Sequence, residues 1–535
     1  MSSAPPDPLM PSERAVHHWT TTNLGEAVPG VMTPLCWSLW GPTGERAARR
    51  AAHEIGVLRR DELAPPADPA DWVLRPFHGR LTMQLEFMAL VGDRLPGTTG
   101  AEAIRSMFGA VPPGMAFAPT RARYPAIAVR LPTTFARFPG LLRALAPEQD
   151  RWWRDAVARA PALDLAGARA LFAQAVARFE RAGHVQLVGT LSSIRPLFDA
   201  LDALVQDAGV GDLAVLSGTG GAEMAVVADI WRASRGELEV ADVVARHGFH
   251  GPDEGEVSSR VWREDPAPLH TMVARYAARD EAQSPLAGEA GARERLAAAQ
   301  AEVLAALPRR RRPAAALLLR LAAARLPLRG VAKRSFLQAV DAGRAAARRA
   351  GALLEADGVL AAADDVFLLT GEELCGALPD GVREVVEHRR QRRAAHQRVE
   401  PASSSWAGLP ELVPVAAPGA GGGADGGSGV VRGTGVSAGV VEGVARVVTD
   451  PSFEDVEPDE VLVARTTDPS WSSIMFVSSA LVVDLGGALS HAAVVARELG
   501  VPCVVGTGNG TSVLATGDRV RVDGTAGTVE VLARV

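Results

Sequence analysis

Apolar residues recur at helical spacing over much of the first 400 residues, and their pattern changes near the C-terminus. Helical spacing covers residues 163–182, 292–307 and 335–354, where alanine, leucine and arginine favour helix. Downstream, Gly, Asp and Pro separate short valine-rich runs typical of strands, at residues 440–448, 461–464, 480–483, 502–505 and 519–522. One helix is predicted among them, from His491 to Leu499, with Gly500 as its C-terminal cap and Pro502 just beyond.

The two patterns meet in residues 401–429, a stretch rich in Gly, Ser and Pro. This composition is typical of a flexible linker. The sequence therefore predicts a multidomain protein: a largely α-helical N-terminal region over 1–400, a linker over 401–429, and a small swivelling α/β domain over 430–535. Within the first part, residues 20–40 mix turn formers with aromatic residues, which predicts a loop before a helix that begins near Gly44.

Composition narrows the class of protein. Of the 535 residues, 47% are hydrophobic and 22% are charged, which is typical of a soluble globular protein, and the net charge of -6 gives no sign of nucleic-acid binding. The three cysteines, Cys36, Cys375 and Cys503, are too few and too far apart for a disulfide framework or a four-ligand zinc site. We therefore expect a cytoplasmic protein without a metal ion, a secretion signal or a membrane span.

Residues 484–506, DLGGALSHAAVVARELGVPCVVG, place a strand end, a Gly486-Gly487 turn and then Ser490 and His491 at the start of a helix. The first turn of a helix presents backbone N–H groups and the positive end of the helix dipole, so it stabilises an attached anion. Imidazole is a good nucleophile near pH 7. The pattern indicates that His491 carries a phosphoryl group, and this requires space for an anion beside the ring. Arg497 lies far enough along the helix to reach either the phosphate or the sheet.

This stretch resembles the phosphohistidine, or mobile, domain of the phosphoenolpyruvate-utilising enzymes, with one departure at Leu489, where many members carry threonine. Residues 433–448 and 461–471 resemble the opening segment and the Thr-x-Pro loop of the same domain. The resemblance implies that His491 is the phosphorylated residue and that Gly487, Ser490, Arg497 and Thr467 stabilise the phosphoryl group. The matching residues are Gly486, Gly487, Ser490, His491, Ala496, Arg497, Glu498, Leu499, Gly500 and Pro502.

Residues 20–40 are similar to the start of the acceptor-binding domain of the rifampicin phosphotransferases, through Asn23, Gly25, Glu26, Pro29, Gly30, Thr33, Pro34 and Leu35. Similar segments follow in the family's order at 77–80, 247–266, 329–333 and 365–374. His250 and Val261 stand where the family usually has arginine, so the acceptor pocket is expected to differ. The resemblance implies acceptor-binding roles for Arg80, His247, Glu254, Trp262 and Lys333. Surface ion pairs and core packing explain the same residues equally well.

Members of this family with three domains begin with an ATP-grasp domain. No such region precedes the acceptor-like segment here, and the sequence contains no G-x-x-x-x-G-K-[ST] phosphate loop. The resemblance to phenylphosphate synthase, in which the nucleotide and histidine parts lie on separate polypeptides, implies a separate ATP-grasp protein that holds Mg-ATP. The chain is expected to be inactive without it.

The resemblance therefore implies a dikinase-like phosphotransferase, in which His491 accepts a phosphoryl group and passes it to a hydroxyl of a small molecule. Two alternatives remain open. One is a binding or regulatory relative that has lost the chemistry, because a fold does not determine a function. The other is a phosphotransferase directed at phosphoenolpyruvate or pyruvate, although residues 15–401 show no eightfold alternation of strand and helix. The acceptor could be a macrocyclic antibiotic, a phenol or another hydroxylated metabolite.

Overall fold

The computed structural model describes residues 7–10, 17–22, 24–108, 110–209, 221–281, 284–415, 430–449, 456–457 and 460–535. Asn23 and residues 416–429 of the predicted linker lie outside this range. The chain forms two compact units: the first contains Met1–Ser193, Asp253–Ser259 and Val331–Val415, and the second contains Ile194–Pro252, Arg260–Gly330 and Ala416–Val535. The N-terminal region predicted as one part over 1–400 is thus divided between the two units.

The first unit is mostly helical. Its helices are α1 (Leu24–Ala27), α2 (Pro34–Glu54), α3 (Leu85–Arg94), α4 (Gly100–Phe108), α5 (Tyr124–Arg159), α6 (Leu165–Gly189), α13 (Leu328–Ala356, from Val331 onward), α14 (Gly371–Cys375) and α15 (Val382–Gln397). Its strands are β1 (His18–Thr20), β2 (Leu74–Phe77), β3 (Arg80–Gln84), β4 (Val399–Pro401), β5 (Ser405–Ala407) and β6 (Leu412–Pro414). They form one sheet in the order β2-β3-β1-β5 and a separate β4-β6 pair.

Helix α2 begins ten positions earlier than predicted, at Pro34 and not near Gly44. Thr33 is the N-cap residue, and its side-chain oxygen accepts a hydrogen bond from the backbone N–H of Cys36 at 3.2 Å. Proline is favoured in the first turn of a helix because its missing N–H would have no partner there. The loop prediction for residues 20–40 was therefore wrong at α1, Leu24–Ala27, and again beyond Thr33, where it gave more weight to composition than to this start signal.

Residues 401–415, the first part of the predicted linker, have strand structure in the first unit. β4 pairs with β6, and β5 pairs with β1 through Trp406 opposite Trp19. Trp19, Phe77 and Trp406 form a small apolar cluster around this pairing. This segment is thus attached to the sheet of the first unit by strand pairing and by aromatic packing.

The second unit combines a set of helices with an α/β domain. The helices are α7 (Arg195–Ala208), α8 (Gly221–Ser234), α9 (Val240–His247), α10 (Ala267–Ala277), α11 (Pro285–Ala306) and α12 (Arg312–Arg325), and they are called the helical module below. The C-terminal domain, residues 430–535, contains short helices and a sheet. Its elements are β7 (Val430–Arg432), β8 (Thr434–Ser437), β9 (Val440–Val448), β10 (Glu460–Ala464), α16 (Ser472–Met475), β11 (Ala480–Val483), α17 (His491–Leu499), β12 (Cys503–Val505), α18 (Gly510–Val513), β13 (Arg519–Asp523) and β14 (Thr528–Ala533).

The sheet of the C-terminal domain has the strand order β7-β14-β13-β9-β10-β11-β12-β8. Strands β9 to β12 are parallel, and the pairs that flank them are antiparallel. Along β10, Leu462 and Ala464 belong to one apolar cluster while Val461 and Val463 belong to a second. Both faces of this strand are therefore buried, which explains why its sequence is an uninterrupted apolar run. The predicted order of a helical region followed by an α/β domain is confirmed.

Candidate functional site

The candidate site lies at the carboxyl edge of the parallel strands. The backbone N–H of Asp484, just after β11, donates to the carbonyl oxygen of Ala464 at the end of β10 at 3.0 Å, and Leu485 N donates to Arg465 O at 2.8 Å. The loops that follow the two strands are therefore neighbours. One carries Thr467, and the other carries the Gly486-Gly487 turn. Open α/β sheets commonly bind ligands at this edge.

His491 is the first residue of α17, and Ser490 caps the helix. The Ser490 side-chain oxygen accepts a hydrogen bond from the backbone N–H of Ala493 at 3.2 Å, and its carbonyl oxygen accepts one from Val494 N at 3.0 Å. The N–H of Ser490 in turn donates to Gly487 O at 2.9 Å. The structure thus brings His491, Ser490 and Gly487 together at the positive end of a helix.

Gly486 allows the turn before His491 to form. Its φ of 127° lies in a region that residues with a side chain rarely adopt, so glycine is required there. The carbonyl oxygen of Gly486 also comes within 3.2 Å of the place where a Cβ on Gly506 would stand. The loop before α17 is therefore packed closely against the loop that follows β12.

The His491 side chain is covered in this arrangement, since the residue is only 2% exposed. Helix α17 contacts α8 and α11 of the helical module within the same unit. A nucleotide or other bulky phosphoryl donor cannot reach the ring in this arrangement. The sequence interpretation requires space beside the ring, and a residue that is 2% exposed leaves none open to solvent.

Arg497 points to a different part of the domain. It is six residues beyond His491, which is about 9 Å along the axis of a helix, and its Nη1 donates to the carbonyl oxygen of Val436 on β8 at 3.2 Å. Burial lowers the pKa of Arg497 to about 10, and burial also raises the pKa of the nearby Cys503 thiol to about 12. The contact with Val436 ties the end of α17 to the sheet, and the predicted role of Arg497 beside the phosphate stays a prediction.

Asp484 is a site residue that the sequence did not single out. Its buried carboxylate accepts hydrogen bonds from the Thr507 hydroxyl at 2.6 Å, from Gly510 N at 2.5 Å and from Thr511 N at 3.1 Å, and also from the Thr511 hydroxyl. These bonds connect the end of β11 to the loop after β12. The sequence signal for Asp484 was its position directly after a buried strand and before a glycine turn.

Two of the predicted acceptor residues form an ion pair in the first unit. Lys333 Nζ lies 3.1 Å from Glu254 Oε1, and Glu254 is the more buried of the two. Arg344, which is fully buried, donates to the carbonyl oxygens of Glu254 at 3.2 Å and Glu256 at 2.9 Å, so the backbone that carries Glu254 is held firmly. Arg80 belongs to the same unit, where its Nη1 donates to the carbonyl oxygen of His396 at 3.3 Å.

The other two predicted acceptor residues lie in the second unit. His247 Nε2 is 3.0 Å from the carboxylate of Asp229. Burial tends to raise the pKa of Asp229, but the hydrogen bond and charge of His247, together with Arg246, outweigh burial and leave this pKa lowered. Trp262 is fully buried in the apolar cluster of the helical module, with its ring centroid 5.8 Å from that of His250. Its position is that of a core residue.

The described residues contain no helix that is both long enough and apolar enough to cross a membrane. In the same residues, no three or more His, Cys, Asp or Glu side chains are grouped so that they could hold a metal ion.

Two regions of the chain match known families. Residues 456–527, which contain the loops described above and all of α17, match the family described as PEP-utilising enzyme, mobile domain. The C-terminal domain therefore resembles the mobile domains of that family, as the sequence predicted. Residues 231–330, which cover most of the helical module, match the family described as rifampicin phosphotransferase fourth domain. The resemblance to both groups of proteins is confirmed.

Similar proteins agree with these matches. An uncharacterised protein of Mycobacterium tuberculosis is 35% identical over 289 residues, which cover 53% of this chain and 30% of the relative. A probable phosphoenolpyruvate synthase of Staphylothermus marinus is 49% identical over 90 residues, 16% of this chain and 11% of the relative. A rifampicin phosphotransferase of Streptomyces sviceus is 45% identical over 93 residues, 17% of this chain and 11% of the relative. The chain thus spans 30% or less of the length of these curated relatives.

Proposed function

We propose that this protein is a phosphotransferase component in which His491 accepts a phosphoryl group and passes it to a hydroxyl of a small molecule. The observation that carries the proposal is the position of His491 as the first residue of a capped helix, at the carboxyl edge of a parallel sheet. The domain with this geometry resembles the mobile domain of phosphoenolpyruvate-utilising enzymes. Ser490, Gly487 and Thr467 are proposed to stabilise the transferred group.

The chemistry consists of two displacements at phosphorus. In the first, an imidazole nitrogen of His491 attacks the β-phosphoryl group of Mg-ATP, a P–N bond forms, and the P–O bond to AMP breaks. Between the two displacements, water attacks the γ-phosphorus of the pyrophosphoryl group left on His491, the P–O bond to the β-phosphorus breaks, and inorganic phosphate leaves. In the second displacement, the acceptor oxygen attacks the β-phosphorus, the P–N bond breaks with its electrons returning to imidazole, and the hydroxyl proton passes to water. Positioning and charge stabilisation supply most of the catalysis in phosphoryl transfer.

The donor site is proposed to lie on a separate ATP-grasp protein in the same cytoplasm. Neither matched region is described as a nucleotide-binding domain. By this proposal, Mg²⁺ arrives with ATP on the partner. By this proposal the chain has no ATP-dependent activity on its own.

We propose that the C-terminal domain swivels, and the burial of His491 supports this proposal. The ring must leave the arrangement in which it is covered before it can meet a donor or an acceptor. Residues 401–429 were predicted as the linker, and we propose that the part from 416 onward provides this freedom. A tether of this kind keeps the effective concentration of His491 high at both sites.

The acceptor is proposed to be a hydroxylated small molecule that Lys333, Glu254 and Arg80 of the first unit help to bind. The Lys333–Glu254 pair has the best geometry for such a role, because the lysine is partly exposed while the loop that carries the glutamate is fixed by Arg344. An exposed ammonium group can neutralise charge on the phosphoryl group as it reaches the acceptor oxygen.

The proposal is tested by mixing the protein with a candidate ATP-grasp protein and ATP labelled at the β-phosphate. We expect an acid-labile label on the peptide that contains His491, and no label in the His491→Ala variant. His270→Ala is the matched control, because His270 is an exposed histidine on α10, and it should be labelled like the wild type. Equal labelling of His491→Ala and wild type would disprove the proposal.

The same experiment separates the alternatives. The similarity to a probable phosphoenolpyruvate synthase makes labelled phosphoenolpyruvate the second donor to test. Labelling of His491 by phosphoenolpyruvate, and not by ATP with a partner, would support a phosphotransferase directed at that compound. If neither donor labels the protein, a non-catalytic binding or regulatory role is favoured.

A further inference from the structure

A cation of the helical module contacts the C-terminal end of the helix that carries His491. Arg295 on α11 donates a hydrogen bond from its Nη2 to the carbonyl oxygen of Glu498 at 2.7 Å. Its guanidinium carbon also lies only 3.4 Å from the place where a Cβ on Gly500, the cap of α17, would stand. The last carbonyl groups of a helix lack partners within the helix and carry its negative dipole end, so an arginine is stabilised there.

A second contact involves an aromatic residue of the C-terminal domain. The neighbours of Phe476 in the chain, Met475 and Val477, are buried in the core of the C-terminal domain, but Phe476 itself packs against the apolar cluster of the helical module. Its ring centroid is 6.1 Å from that of Tyr276 on α10, at an interplanar angle of 76°. Edge-to-face pairs of this kind add to the gain from burying the two rings.

The two contacts lie on either side of the segment that leads into α17. Arg295 holds the end of α17, and Phe476 holds the turn between α16 and β11. His491 follows β11 and begins α17, and it is covered in the arrangement that these contacts maintain. We propose that Arg295 and Phe476 form a latch that keeps the C-terminal domain docked on the helical module and controls the exposure of His491.

Only the reason for controlling the exposure of His491 rests on the proposed function; the two contacts themselves do not. Docking is the state in which His491 is covered, and release is the state in which it can meet a donor or an acceptor. Weakening either contact should therefore raise the fraction of molecules with an exposed His491. A lost hydrogen bond to a charged group, or a lost aromatic contact, is expected to raise that fraction about tenfold.

The exposure of His491 can be measured directly with diethyl pyrocarbonate, which modifies accessible imidazole nitrogens. The rate is followed by mass spectrometry on the peptide that contains His491, and the exposed His270 serves as a reference within the same molecule. In the wild type, His491 should react far more slowly than His270. Arg295→Ala and Phe476→Ala should each raise the rate at His491 about tenfold and leave His270 unchanged.

The controls separate release of the latch from unfolding. Arg295→Lys retains the positive charge but not the planar guanidinium group, and should give a rate of His491 modification between those of the wild type and Arg295→Ala. Arg320→Ala removes an exposed arginine of α12 in the same module and should match the wild type. Arg295 itself is exposed, so its variants are expected to fold even if Phe476→Ala does not. Circular dichroism and the thermal midpoint establish whether each variant is folded.

The latch is disproved if His491 reacts at the wild-type rate in folded Arg295→Ala and Phe476→Ala, or if it reacts as fast as His270 in the wild type. These measurements need no phosphoryl donor. If the variants expose His491 but no donor ever labels it, the latch stands and the proposed phosphotransfer fails. If His491 is labelled while its exposure is the same in every variant, phosphotransfer stands and the latch fails.

Discussion

The carboxylate of Asp484 accepts a hydrogen bond from the hydroxyl of Thr507 at 2.6 Å, and this bond joins two loops at the carboxyl edge of the sheet. The same carboxylate accepts from the backbone of Gly510 and Thr511, so one buried anion organises the start of α18. Since Asp484 also begins the loop that leads to His491, it fixes the base from which that loop departs. The position of the proposed nucleophile thus depends on a residue that need not touch any substrate.

Replacement of Asp484 by asparagine should loosen this edge of the sheet. An amide places N–H donors where the carboxylate accepts only, so buried donors of the 507–511 loop lose their partners, at a cost of about 3 kcal/mol. The expected result is a large loss of hydrogen-exchange protection in residues 503–513. Asp523 accepts two backbone N–H bonds in an exposed turn, and Asp523→Asn should have a much smaller local effect. Equal effects of the two substitutions would refute this role for Asp484.

Ser490, the N-cap residue of α17, makes a separate contribution to the stability of the first turn of this helix. Ser490→Ala removes the side-chain acceptor of the Ala493 N–H and should weaken the helix by about 1 kcal/mol. Exchange of the amides in the first turn of α17 would report this change, and Ser490→Thr should restore most of the protection. The labelling rate of His491 should fall in parallel, because a frayed first turn no longer presents its dipole to the phosphoryl group. Undisturbed exchange in Ser490→Ala would show that the cap contributes nothing.

Five strands and α17 of the C-terminal domain could be predicted from sequence because their signals are local, whereas β7, β8, β14, α16 and α18 were not predicted. The structure places α17 at His491–Leu499, as predicted, with Gly500 in the left-handed conformation at φ 74°. The valine-rich runs became strands within a residue of the predicted bounds. The start of α2 was missed because the Thr33-Pro34 signal lies among turn formers and aromatic residues.

The surroundings of the candidate site could not be predicted in the same way, because they depend on contacts between distant segments. Nothing near Arg497 in the sequence indicates that its side chain donates to the carbonyl oxygen of Val436. The pairing of Lys333 with Glu254 requires residues 253–259 to separate from their chain neighbours and join the first unit. The burial of His491 likewise has no local signal.

The pH dependence of stability should include a contribution from Glu62. Two hydrogen bonds from Arg94, at 2.8 and 2.9 Å, and one from the backbone N–H of Arg59 lower the pKa of Glu62 from 4.5 to about 2. A carboxyl group with a lowered pKa in the folded state stabilises the protein above its unfolded pKa, and this contribution is lost as the pH falls. The loss should occur between about pH 4.5 and about pH 2.

Urea unfolding of the wild type and of Glu62→Gln at about pH 7 and about pH 3 would measure this contribution. The wild type should be more stable than Glu62→Gln at neutral pH. This difference in the free energy of unfolding should shrink in acid, because the unfolded state then binds a proton at Glu62 that the folded state does not. Arg94→Gln removes the other partner of the ion pair. Its difference from the wild type in the free energy of unfolding should shrink in acid in the same way. A difference that stays constant with pH would show that the Arg94 pair does not set the pKa of Glu62.

Replacement of Arg344 should lower the free energy of unfolding more than replacement of any other cationic residue of the first unit. It is fully buried, its Nη1 lies 3.0 Å from the Asp341 carboxylate, and its Nη2 donates to the carbonyl oxygens of Glu254 and Glu256. Trp153 donates to the same carboxylate at 2.8 Å. Arg344→Leu leaves a buried carboxylate without its cation, and a loss of this kind costs about 3–5 kcal/mol.

The double variant Arg344→Leu, Asp341→Leu should be less destabilised than the single variant, because it removes the buried charge together with its partner. Unfolding in urea gives both values, and hydrogen exchange over residues 253–259 reports whether the loop that carries Glu254 has loosened. If the single variant is no less stable than the double variant, the Asp341 carboxylate does not need Arg344. In that case the fixed position of Glu254, and with it the geometry of the Lys333 pair, must have another origin.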